Sequence, residues 1–156
     1  MGYIMDLRKE LGHRPLILTG AGAFLVNEKN EVLLGKRADN GMWDHPGGAM
    51  ELGESFEEAA RREVLEETGL LCGKMDLLTE YSGAKTHYIY PNGDECFVAG
   101  LIYICLDYSG EMKAQEEEVK EQRFFPLDAI PDDTEPKQYE LIELVKDYLR
   151  KIGRLS

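Results

Sequence analysis

The sequence predicts an α/β protein in which a mixed sheet packs between helices. Three observations carry that expectation. Short β-prone runs recur along most of the chain. One segment carries helix start and stop signals, and the C-terminal segment has apolar residues at helical spacing. No repeat, low-complexity tract or linker interrupts them, so residues 1–156 are expected to form one domain, with 1–15 as an N-terminal arm or short helix.

In chain order, residues 3–11 suit a short amphipathic helix that Pro15 ends. Leu16 to Val26 is apolar and β-prone, Glu28-Lys29-Asn30 reads as a turn, and Val32-Leu33-Leu34 as the returning strand. Ala38 to Pro46 reads as a polar loop carrying Trp43. Ser55 and Glu58 make a capping box and Gly69 a C-terminal stop, which predicts a helix from about Phe56 to Thr68. Strand-like runs cover 74–82, 86–90 and 95–106, with Pro91-Asn92-Gly93-Asp94 as the turn between the last two. Glu121 to Phe125 is a further strand. A last helix starts near Pro136, with Leu141, Leu144 or Val145, Tyr148 and Ile152 as its packing stripe.

Composition excludes some functions. With 43% hydrophobic and 31% charged residues, the chain matches ordinary soluble proteins. Its longest apolar run, about Phe97 to Leu106, is too short to span a bilayer, and the N-terminus lacks a signal-peptide core. Cys72, Cys96 and Cys105 lack CxxC spacing and read as reduced, mostly buried thiols, which suits the cytoplasm. The net charge of −12 argues against long nucleic acids and anionic membranes as partners. Small phosphorylated ligands remain compatible, because a bound metal reverses the local sign. A homodimer is left open.

Residues 48–70, GAMELGESFEEAARREVLEETGL, hold seven glutamates. On a helical wheel with Glu63 at zero, Phe56 falls at about +20°, Glu67 at about +40° and Glu66 at about −60°. The apolar stripe of the first half thus becomes a carboxylate stripe in the second. Inward carboxylates are unfavourable unless paired or metal-bound. Like charges at i,i+3 and i,i+4 cost about 0.2–0.5 kcal/mol per pair, and the helix C-terminus disfavours negative charge. A divalent cation relieves all three penalties, and oxygen-only donors suit Mg²⁺ or Mn²⁺. The bland alternative is a solvated acidic helix with Arg62 pairing Glu58 and Glu66 at i±4.

The same stretch resembles the Nudix box, GX5EX7REUXEEXGU with U aliphatic. Gly48, Glu54, Arg62-Glu63-Val64, Glu66-Glu67 and Gly69-Leu70 fill every defined position. Leu33 to Arg37, Trp43 with Pro46-Gly47-Gly48, and Phe124 to Asp128 also look like the family, so the resemblance covers about residues 16–150. It implies an α/β/α sandwich and metal-dependent hydrolysis of nucleoside diphosphate derivatives by in-line attack of water. Glu63, Glu66 and Glu67 would be metal ligands with the Gly48 carbonyl nearby, and Arg62 and Glu54 would orient them. A further acidic ligand is expected from Glu118, with Glu117 and Glu121 as rivals. Lys36 and Arg37 are candidate phosphate contacts, or a solvated strand end. His45 and His87 are candidate bases, or incidental.

The alternative to a hydrolase is a catalytically silent Nudix module that binds or senses nucleotides, which the intact glutamate set speaks against. Many ADP-ribose hydrolases of the family place a proline about sixteen residues past the box, where this chain has Thr86. Many dinucleoside polyphosphate hydrolases place a tyrosine about eighteen past it, where this chain has Tyr88 (88 − 70 = 18). Nucleoside triphosphates and dinucleoside polyphosphates are therefore favoured, with ADP-ribose or a nucleotide sugar retained. Tyr88 is the candidate base-binding residue, although an alternating strand also lets it pack on the sheet.

Overall fold

The structure, a computed structural model, describes residues 2–113 and 119–156. The elements in order are α1 (Tyr3–Leu11), β1 (Leu16–Leu25), β2 (Glu31–Arg37), β3 (Trp43–Asp44), β4 (Gly47–Ala49) and α2 (Phe56–Thr68). They continue with β5 (Leu70–Cys72), β6 (Met75–Tyr81), β7 (His87–Ile89), β8 (Glu95–Cys105), β9 (Tyr108–Gly110), β10 (Val119–Pro126) and α3 (Lys137–Lys151).

A mixed five-stranded sheet runs β4-β1-β8-β6, with β7 also on β8. Its centre is the parallel pair β1 and β8, in register from Leu16↔Cys96 to Leu25↔Cys105. A second antiparallel sheet, β10-β2-β3, lies beside it, and β5 pairs β9. Both faces of β1 are covered from Gly20 onward, which is why its sequence reads as a continuous apolar run.

One face receives α2 through Ala59, Ala60 and Val64, packed on Ala21, Ala23, Leu25, Leu33 and Tyr103. The other receives α3 through Leu141, Ile142, Val145 and Leu149, packed on Phe24, Val26, Leu34, Ile102 and Ile104. The expected sheet between helices is therefore present. Val145 and Leu149 are fully buried, each contributing about 1.5–3 kcal/mol by area removed from water.

The helix α2 has the predicted bounds for the predicted reason. The Ser55 hydroxyl accepts from the Glu58 N–H at 3.1 Å, and the Glu58 carboxylate accepts from the Ser55 N–H at 3.1 Å. Gly69 closes the helix at φ 80, a left-handed position suited to glycine. The Pro91–Asp94 turn is also present, with Tyr90 N–H bonded to the Asp94 carbonyl at 2.8 Å and Gly93 at φ 93.

Five expectations need correction. The turn at 28–30 forms, but β1 and β2 share only the single bridge Val26↔Val32, because each finds its partners in a different sheet. Residues 38–46 include strand β3, and Trp43 is core, edge-on to Phe125 at 4.8 Å. Gly12 at φ 66, not Pro15, ends α1. Ile152 is exposed beyond the end of α3, while Ile142 and Leu149 complete its stripe. Glu66 does not face the core: its side chain is 49% exposed, whereas Glu63 is buried. At −60° it lies on the rim of the stripe. Among the described residues, no helix is long and apolar enough to cross a membrane.

Candidate active site

The β3–β4 strap and the outward end of α2 build the site together. Strand β4 pairs β1 at Gly20↔Ala49, Ala21↔Gly48 and Gly22↔Gly47, which turns Gly48 toward α2. The Glu63 carboxylate lies so close to it that a Cβ on Gly48 would fall 2.6 Å from the carboxyl carbon. The Gly47 N–H donates to Glu67 Oε2 at 2.9 Å. One strap thus meets two of the box carboxylates through backbone alone.

Arg62 organises the rest. It grips Glu54 through both oxygens, Nε to Oε2 at 2.6 Å and one terminal nitrogen to Oε1 at 2.9 Å. Its other terminal nitrogen donates to Glu63 Oε1 at 2.9 Å and Glu66 Oε2 at 3.2 Å. It also donates to the Ala49 carbonyl at 2.9 Å, tying α2 back to the strap. The planar guanidinium makes this fork possible where lysine would not. The Arg62 hydrogen bond holds the Glu54 carboxyl below its ordinary value, and Glu54 in turn raises Arg62.

Among the described residues, no three His, Cys, Asp or Glu side chains are gathered into a ready metal cage. The donor set still fits a hard divalent cation. Its side chains offer carboxylate oxygens, and the missing side chain of Gly48 keeps the Glu63 carboxylate open to backbone approach. Glu117 and Glu118 lie outside the described residues. Glu121 is on β10 opposite Lys36, bonded to Arg123 at 2.5 Å.

The candidate substrate residues form a second constellation. Lys36 pairs with Asp133 at 3.5 Å and lies over the Trp43 ring. Arg37 takes Asp39 bidentately at 2.9 and 2.7 Å, reaches Asp44 at 3.5 Å, and lies 6.0 Å from the Tyr88 ring centre. Its hydrogen bond to Asp39 raises the guanidinium further above its ordinary value. Tyr88 meets Tyr90 edge-on at 4.8 Å and accepts from Asn40 at 3.4 Å. His87 is engaged elsewhere, with Glu95 at 2.7 Å.

Sequence reasoning missed Asp44 and Gln138. The fully buried Gln138 amide donates to Asp44 Oδ1 at 2.6 Å and lies 2.8 Å from His45 Nδ1. His45 stacks on Phe24 at 4.8 Å, over Gly22, whose absent side chain makes room for the ring. Burial pushes the Asp44 carboxyl up, but the His45 hydrogen bond and the charges of Lys137 and Arg37 outweigh it and hold it at about 2. A buried Gln with helix spacing beside apolar Leu141 and Ile142 is the only local signal, and it does not name a partner 94 residues away.

Comparison with known proteins settles the family. The NUDIX domain model matches residues 17–145. The chain belongs to the Nudix hydrolase family. It is 35% identical over 129 residues to the ADP-ribose pyrophosphatase of Methanocaldococcus jannaschii, covering 81% of this chain and 70% of that one. A MutT Nudix hydrolase from Burkholderia pseudomallei superposes with a TM-score of 0.70 at 26% identity, over 85% of this chain and 98% of the other. A C. elegans Ap4A hydrolase shares the fold at a TM-score of 0.66 and 19% identity, over 86% of this chain and 98% of the other. Nudix hydrolases generally require a divalent metal and act on small nucleotide derivatives.

Proposed function

We propose that this Nudix hydrolase cleaves the diphosphate linkage of a nucleoside diphosphate derivative at the Gly48–Glu63–Glu67 corner, with Mg²⁺ or Mn²⁺. The observation that carries the reading is the Arg62 fork, which presents Glu63 and Glu66 oxygens while Gly47 fixes Glu67. Glu63, Glu66, Glu67 and the Gly48 carbonyl would hold the ion. When bound, it neutralises the diphosphate oxygens and eases ionisation of the attacking water.

The chain's own residues supply position. Glu54 locks Arg62, Arg62 orients two carboxylates, and the strap brings backbone close to the phosphates. Asp44, at the Arg37 and Tyr88 corner, is three residues from Gly47, so at most about 11 Å of extended backbone separates the two constellations. A nucleotide fits that span with its base beside Tyr88 and its diphosphate at the carboxylates. Lys36 and Arg37 would serve as phosphate contacts once released from Asp133 and Asp39.

Nucleoside triphosphates and dinucleoside polyphosphates remain the favoured substrates on the Tyr88 position. The second reading, ADP-ribose, is favoured by the Methanocaldococcus relative. A panel of these nucleotides, assayed for released phosphates with Mg²⁺, Mn²⁺ or excess chelator, tests both. Turnover of one class that chelation abolishes and metal restores is expected. No turnover of any class, or full activity in chelator, would overturn the proposal.

A further inference from the structure

We propose that Arg8 is a positioning residue for substrate binding: it fixes the β7–β8 hairpin, and with it Tyr88, relative to the carboxylates of α2. The inference rests on the placement of the nucleotide base beside Tyr88. Helix α1, which carries Arg8, precedes the matched Nudix segment of residues 17–145.

A charged side chain is seldom buried unless it is paired. Arg8 is only 7% exposed, yet among the described residues neither apolar cluster includes any part of α1. Polar contacts bury it instead. One terminal nitrogen donates to the Gly12 carbonyl at 3.0 Å and to the Arg14 carbonyl at 2.6 Å. The other donates to the Glu95 carbonyl at 2.6 Å, 87 residues away in sequence. Nε lies 3.8 Å from Asp94 Oδ2. One prong of the fork holds its own arm, and the other holds the hairpin.

Asp94 and Glu95 close the turn that follows Tyr88. The Asp94 carbonyl accepts from the Tyr90 N–H at 2.8 Å, and Tyr88 pairs with Cys96 across the hairpin. His13 adds a second contact from the same arm, with Nδ1 at 2.7 Å from Asp94 Oδ1. Strand β7 is three residues long and, among the described residues, is bonded to β8 alone. So short a hairpin has little of its own to set its angle.

The other end of α1 is fixed on the box. The Tyr3 N–H donates to Glu51 Oε2 at 2.8 Å, and a carboxylate at a helix N-terminus is favourable. The Glu51 N–H donates to Glu54 Oε1 at 2.7 Å, and Glu54 is the carboxylate that grips Arg62. The nine residues of α1 span about 14 Å. The helix is thus a strut of set length between the loop that locks Arg62 and the hairpin that presents Tyr88. Base and diphosphate are bound at opposite ends of one ligand, so the spacing of the two matters to binding.

The test is a double-mutant cycle on the full-length protein with its best nucleotide substrate. Arg8→Met keeps length and helix propensity but removes the fork. KM is expected to rise about tenfold, the effect of a hairpin in place one-tenth of the time, with kcat little changed. Arg8→Lys keeps the charge without the fork and should fall between. It takes the place of Arg8→Met if circular dichroism shows that variant unfolded. In the Tyr88→Ala background the Arg8 substitution should add little, because both act on one contact. A raised KM in Tyr88→Ala beside a wild-type KM in the folded Arg8 variants would overturn the proposal. Equal fold-losses from the Arg8 substitution in the two backgrounds would do the same. An unchanged KM in Tyr88→Ala would overturn the base placement itself, and the role of Arg8 with it.

Discussion

Replacing Gly48 with alanine adds one methyl group at the point where backbone and carboxylate are closest. Its φ is not positive, so the backbone itself accepts alanine without strain. The side chain does not fit: the new Cβ would lie 2.6 Å from the Glu63 carboxyl carbon and Oε1, and 2.7 Å from Oε2. Ordinary contact needs about 3.5 Å, so the carboxylate must retreat by roughly 1 Å. Glu63 is bonded to Arg62 at 2.9 Å, and that charge-assisted hydrogen bond is the first loss. Its removal costs about 1.5–3 kcal/mol, which for a chain of this size lowers the melting temperature by roughly 3–12 °C. A displacement near 1 Å at a reacting centre costs about 100-fold in rate. Measuring kcat/KM on the best substrate beside thermal unfolding checks both figures. Wild-type turnover and wild-type melting in Gly48→Ala would refute the claim that this contact shapes the site.

Glu67→Gln keeps size and helix propensity but removes a charged donor; a loss of at least ~100-fold in rate is expected with the fold retained, as judged by circular dichroism. Near-normal turnover would remove Glu67 from the ligand set. Tyr88→Ala should raise KM roughly 5–150-fold and leave kcat little changed, from a stacking contact of about 1–3 kcal/mol. If Tyr88 only packs against Tyr90, the melting temperature falls instead and KM stays put. Asp44 is held at about 2, below its ordinary 3.8, so its contribution is present above 3.8 and is lost as pH falls through about 2. The stability gap between wild type and Asp44→Asn, measured by urea unfolding, should be about 2 kcal/mol near pH 6 and close toward pH 2. A gap independent of pH would contradict the charged assignment.

Local signals in the sequence were readable where the chain interacts with its neighbours. Ser55, Glu58 and Gly69 act within one turn of their own helix, and the bounds of α2 follow from them. The Pro91–Asp94 turn likewise bonds across four residues. Pairing was not readable, because β1 joins β8 in parallel across 80 positions, and no local residue pattern encodes that partner. Trp43 looked like a loop residue because Asp39, Asn40 and Gly41 surround it; its burial depends on Phe125, brought in by β10. The wheel placed Glu63 inward and did not distinguish Glu66, since a shift of about 60° decides between core and rim. Gln138 was invisible for the same reason as the strand order: its partner is made by the fold.

The strap from Trp43 to Ala49 explains why a buried amide on α3 matters to carboxylates on α2. The two helices lie on opposite faces of the sheet and share no packing cluster. Gln138 holds Asp44 and His45 from one face. Three residues on, the same strap, now in β4, presents Gly47 and Gly48 to Glu67 and Glu63 on the other. At 47–49 the strap is two glycines and an alanine and has little side chain to pack, although Pro46 before them is buried. Its position must therefore be fixed from elsewhere. β1 supplies one fixed edge through the Gly20–Gly22 pairing, and the Pro46 carbonyl accepts from the Ala23 N–H at 3.1 Å. The Asp44–His45–Gln138 contacts supply the second. That second edge rests on the donating end of the amide: Gln138 bonds Asp44 while its own carbonyl oxygen is buried without a partner among the described residues, so replacing it with an apolar side chain would release the strap and leave the Asp44 carboxylate short of a donor.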